Sequence, residues 1–136
     1  MQTAEKARRE HERVLRARER LRFRVYAAVR GVVLGTELFR THPSLFEPDV
    51  VINVYPHLVD VQTSLNEGQL RLIAANRRSV ELNRFAGELK AGLERVAAEL
   101  DLEFTSTAAH FGGSQPVMLV DVPTGYRAVL LRRGQE

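Results

Sequence analysis

The stretch Ser79-Val-Glu-Leu-Asn-Arg-Phe-Ala-Gly-Glu-Leu-Lys-Ala-Gly-Leu-Glu-Arg-Val-Ala-Ala-Glu-Leu100 decides the fold. Leu82, Phe85, Leu89, Leu93, Val96 and Leu100 recur at steps of three and four, which places six large apolar groups on one side of an α-helix. Glu81, Glu88, Lys90, Glu94, Arg95 and Glu99 take the rest of the cylinder. Ser79 is placed to accept from a free backbone N–H of the first turn, a cap worth about 1 kcal/mol. Burying those six side chains stabilises by a gross amount on the order of 10 kcal/mol before conformational entropy is subtracted. A single helix has nothing to bury them against, so the alternating apolar runs on either side are expected to form a covering sheet.

Before it, Val50 to Tyr55 reads as a strand ended by Pro56, and 58–65 and 69–75 alternate on either side of Asn66-Glu67-Gly68 like a hairpin. After it come a strand over 102–108, a glycine-rich loop from Gly112 to Pro116, and a second hairpin, 117–122 with 126–131, around Pro123-Thr124-Gly125. The expected architecture is α+β: an antiparallel sheet of about five or six strands with two helices on one face, in the order α-βββ-α-βββ. With 136 residues and no internal repeat, it is a single domain overall, divided into a basic arm over 1–40 and a body over 41–136.

Ala4 to Arg24 lacks Gly and Pro and carries nine basic residues from Lys6 onward. In helical projection Arg9, Arg13, Arg16, Arg20 and Arg24 share one face, beside an apolar stripe of Val14, Leu21, Val25, Ala28 and Val32. The alternation of Leu21, Phe23 and Val25 with Arg22 and Arg24 also fits a strand, but the length of the pattern favours a helix that runs on until Pro43 ends it near Thr41. Beyond Phe23 apolar residues surround the axis, so the second half is expected to be buried and the first to project into solvent. Ala27, Gly31 and Gly35 leave a flat strip for close helix–helix contact, and a homodimer through it is a secondary expectation.

Charge divides along the chain. Residues 1–40 hold eleven basic against five acidic groups, a net of +6, while residues 41–136 hold nine against twelve, a net of −3. A stiff element with five Arg on one face suits phosphate or carboxylate partners. Glu5–Arg9 and Glu12–Arg16 have the spacing of i, i+4 pairs, which offset only part of that charge. The expected function is therefore a small non-enzymatic interaction or regulatory protein whose arm binds nucleic acid or an acidic protein that handles nucleic acid. No cofactor, membrane partner or small-molecule substrate is implied. The apolar face of the first twenty residues is too narrow for a membrane-surface helix.

An enzymatic alternative rests on His42, Asp49 and His57, which with Glu47 and Asp60 bring two imidazoles and three carboxylates into nineteen residues, a donor set suited to zinc or manganese and metal-assisted hydrolysis. His110, beside Gly112, Gly113 and Ser114, is a weaker candidate base, because the loop has no carboxylate to orient it. No phosphate-binding or dinucleotide glycine motif is present. Zero cysteines exclude thiol chemistry and disulfides. With no signal-like opening stretch, the expected location is the cytoplasm.

Overall fold

The computed structural model describes residues 2–73, 78–105 and 113–133, and the chain is α+β as expected. Helices α1 (Gln2–Leu34), α2 (Glu37–Thr41), α3 (Glu67–Arg71) and α4 (Arg78–Glu99) accompany strands β1 (Asp49–Val54), β2 (Leu58–Ser64), β3 (Leu102–Thr105), β4 (Gln115–Leu119) and β5 (Val122–Arg132). All strand pairs are antiparallel, in the order β1-β2-β5-β3. β5 is long enough to take two partners along one edge, β4 along Val122–Arg127 and β3 along Val129–Arg132.

The pleat sorts the side chains. Ile52, Val61 and Ala128 stand in register across β1, β2 and β5, as do Val54, Val59 and Leu130. Apart from Val54, which is half-buried against them, these residues share one buried cluster with Val25, Val29 and Val33 of α1 and with Leu82, Phe85, Leu89, Leu93 and Val96 of α4. The apolar stripe of α4 is buried as its spacing predicts, and Leu100 just beyond the helix is half-buried against the cluster. Both long helices lie over this face, α1 against β1 and α4 against β5, and they touch each other. At that contact a Cβ added to Gly92 would fall 2.2 Å from Val32 Cγ1, so α4 needs glycine there for α1 to seat.

Four expectations differ from the structure. The strand predicted over 69–75 is replaced, over Glu67–Arg71, by helix α3; residues 74 and 75 lie outside the described residues. The reason is local. Asn66 Oδ1 accepts from the Gln69 N–H at 2.8 Å, and Gln69 Oε1 accepts from the Asn66 N–H at 3.0 Å, a reciprocal cap that starts a helix where alternation suggested a strand. Leu70 and Ile73, three apart, are buried while Leu72 is 52% exposed, which is helical rather than strand spacing.

The first helix ends at Leu34 rather than near Thr41. Thr36 is extended at φ −68°, ψ 155°, and Glu88 on α4 accepts from the Glu37 N–H at 3.1 Å, which starts α2 as a separate turn. The phenyl rings of Phe39 and Phe85, 6.0 Å apart, then tie α2 to α4.

The second hairpin turns at Val120-Asp121, between the paired Leu119 and Val122, and not at Pro123-Thr124-Gly125. Those three residues are the start of β5. Gly125 is present because a Cβ there would lie 2.0 Å from the Thr63 carbonyl, so it permits a close strand approach instead of a turn. Ser79 is inside the first turn of α4, not at its cap, and the residue preceding the helix is outside the described residues. Of the strand expected over 102–108, Leu102–Thr105 is present and 106–108 are outside the described residues.

Two substitutions test this packing by chemical denaturation. Leu89→Ala, at a position with no solvent exposure, is expected to cost about 2–5 kcal/mol. Gly92→Ala is expected to cost about 1–3 kcal/mol through overpacking, and Val32→Ala in the same chain is expected to restore part of the loss because it vacates the space the new Cβ needs.

Candidate functional site

The 33 residues of α1 make a rod about 50 Å long, and its buried residues, among those described, all fall in the second half. Val25, Val29 and Val33 are buried, whereas residues 3–13 are exposed without interruption. At about 100° per residue Arg9, Arg13, Arg16, Arg20 and Arg24 fall within an arc of about 80°, and its centre lies about 180° from the valine stripe. Burial of the valines thus turns the arginines outward. From Arg9 to Arg24 the stripe is about 22 Å long.

The acids of the helix answer only part of this charge. Arg9 reaches Glu5 at 4.0 Å and Arg13 contacts Glu10, with all four side chains more than half exposed. Such pairs contribute about 0.2–1 kcal/mol each and give way readily to a stronger anion. Among the described residues Arg16, Arg20 and Arg24 meet no carboxylate, and the i, i+4 pairing of Arg16 with Glu12 does not form.

One pair on the arm is better built. Glu19 Oε1 accepts from Arg22 Nε at 3.1 Å and from its terminal nitrogen at 2.5 Å, while Oε2 accepts from Nε at 3.1 Å. These hydrogen bonds, aided by Coulombic attraction, hold the Glu19 carboxyl below its ordinary pKa and the guanidinium above its own, against an opposing cost of desolvation. The guanidinium so fixed lies over the ring of Phe23, 5.0 Å from its centroid, and that ring is 60% exposed. The i, i+3 spacing of Glu19 and Arg22 is legible in the sequence, but its consequence for Phe23 is not.

Ala27 and Gly31 continue the arginine face toward the body and are exposed. A Cβ at Gly31 would meet nothing within 4 Å, and one at Gly35 would meet only the carbonyls of Gly31 and Val32. Among the described residues the strip therefore carries no helix. The intramolecular helix contact falls instead at Val32 and Gly92, because the core lies on the opposite side of α1 from the strip.

His42, Asp49 and His57 are not brought together. His42 closes α2, with Nδ1 3.1 Å from the Leu38 carbonyl and Nε2 3.9 Å from Glu81. Asp49 opens β1, and His57 sits in the turn between β1 and β2, at the far end of that strand. Glu47 contributes its carbonyl to Gln69, and Asp60 pairs with Arg127 at 3.0 Å across the sheet face opposite the helices. Among the described residues no three His, Asp or Glu side chains converge as metal ligands. His110 lies outside the described residues, and the Ser114 hydroxyl accepts from the Val129 N–H.

The body also carries an open groove of about 340 Å³ between α4 and the β4–β5 hairpin, lined by Ala86, Gly87, Met118, Pro123 and Tyr126. Burial, and secondarily Glu94, pushes the Tyr126 phenol above its usual pKa. Among the described residues no helix is long and apolar enough to cross a membrane. The chain matches no known family, no curated protein and no solved structure.

The Glu19–Arg22 pair has a direct spectroscopic check. The Glu19 carboxyl is expected to titrate below its ordinary value by NMR, and Arg22→Gln is expected to return it to that value, since the lowering comes from this one partner. The sign follows from the depressed pKa: the pair is intact at neutral pH and is lost as pH falls through the Glu19 midpoint.

Proposed function

We propose that this is a small non-enzymatic interaction protein, of a regulatory kind, whose α1 docks on an acidic surface, either nucleic acid or a protein that handles nucleic acid. The observation that carries this reading is the outward arginine face, on which Arg16, Arg20 and Arg24 have no carboxylate partner among the described residues. A folded protein gains nothing for its own stability from charges held apart on a protruding helix, whereas a polyanion that meets them releases its condensed counterions. The body, with its net −3, repels the same polyanion and so favours contact at the arm alone.

The carboxylates limit how α1 can be used. Glu5, Glu12 and Glu19 lie along one margin of the arginine face, so the helix offers phosphates one side and not its whole circumference. Ala27 and Gly31 extend that side without bulk, which suits either a ligand backbone or a second copy of the chain.

The test is replacement of Arg9, Arg13, Arg16 and Arg20 together by Gln, with binding to nucleic acid followed across a salt series. Affinity is expected to fall at least about tenfold, and the log–log salt slope to flatten by up to about 3.6 if all four contact phosphates. Unchanged affinity removes the arm as the contact. A variant that binds normally but changes mass in sedimentation assigns the arm to self-association instead.

A further inference from the structure

Phe23 is a large aromatic ring left 60% in water on the side of α1 that faces away from the core. It lies beside the arginine stripe, with Arg20 three residues before it, Arg24 next to it and the small Ala27 one turn after it. One face of the ring lies under the Arg22 guanidinium, which Glu19 holds in place and neutralises, so the exposure belongs to the rest of the ring. Ala27 and the open position at Gly31 leave the approach along the helix clear.

Resting on the reading of the arm as a nucleic-acid contact, we propose that Phe23 is a stacking platform for an unpaired nucleobase, with the flanking phosphates held by Arg20 and Arg24, so that the arm's ligand is single-stranded nucleic acid. Three features of α1 favour a single strand over a duplex. A duplex keeps its bases stacked on one another and presents phosphates to a helix lying on its surface, where Phe23 would find no partner. Reading adenine in a duplex through its major groove calls for Asn or Gln, yet from Ala4 to Gly35 there is neither. A helix sunk in that groove would also bring Glu5, Glu12 and Glu19 against the phosphates. A single strand laid along one face avoids all three problems. Its bases are free to stack, and stacking on an aromatic ring tolerates any base. Arg16, Arg20 and Arg24 follow one another at about 6 Å along the axis, a repeat comparable with that of phosphates in an extended strand.

The experiment is fluorescence anisotropy with the full chain at fixed salt, using an oligothymidine of about 20 nucleotides, longer than one binding site, and a duplex of matched length. Wild type is expected to bind the single strand more tightly than the duplex. Phe23→Ala is expected to lower single-strand affinity about tenfold and leave duplex affinity unchanged, while Phe23→Tyr keeps the wild-type value. Since the ring is exposed, thermal unfolding of the three proteins should coincide, which separates lost stacking from lost folding. If Phe23→Ala leaves single-strand affinity intact while replacement of Arg16, Arg20 and Arg24 by Gln weakens it, the contact is to phosphates only; the stacking platform is overturned and the arm's function stands. If wild type binds neither oligonucleotide, the stacking platform and the nucleic-acid reading of the arm are overturned together, and an acidic protein is left as the arm's partner.

Discussion

The position of α1 depends on its packing against β1 and α4, and the approach is tightest where Val32 seats in the space that Gly92 leaves on α4. It sets how close the two long helices come, and with them how Val25, Val29 and Val33 reach the apolar face of the sheet. Because the helix is a stiff rod, fixing its second half also fixes where its first half points. The arm extends into solvent as a mechanical consequence of a core contact some twenty residues away.

The same rigidity makes the arm an electrostatic object. Side chains opposite the valine stripe are turned outward together, so the five arginines form one face and not a diffuse cloud. In water a short-range pair such as Arg9 with Glu5 is worth little, and it does not blunt the attraction toward a dense line of charge. Glu19 plays a different part. It spends its carboxylate on Arg22, and the result is an ordered cation lying over an exposed ring.

Where reading by pattern went astray, a side chain or a backbone approach outweighed the local signal. Around Asn66 the alternation of Leu70 and Leu72 was overridden by a reciprocal amide cap, a device visible as Asn-x-x-Gln but easily outranked by periodicity. Pro123-Thr124-Gly125 carries turn chemistry, yet Gly125 is needed for the approach of Thr63, a residue sixty-two positions earlier in the chain. Among the glycines, spacing drew attention to Gly31 and Gly35 on an open face, while the glycine that admits a helix is Gly92, isolated within a pattern of its own. His42, Asp49 and His57 are close in sequence, but a strand lies between the last two and carries them apart.

The sequence by itself determined the amphipathic helix over Ser79–Leu100, the antiparallel α+β class and the arginine face, because each follows from a period that a helix or strand imposes on neighbouring residues. Tertiary structure alone decided which glycine meets which helix, where the hairpins turn, and that Phe23 stands in water beneath a fixed guanidinium. Those outcomes depend on distances between segments far apart in the chain, and no local period encodes them.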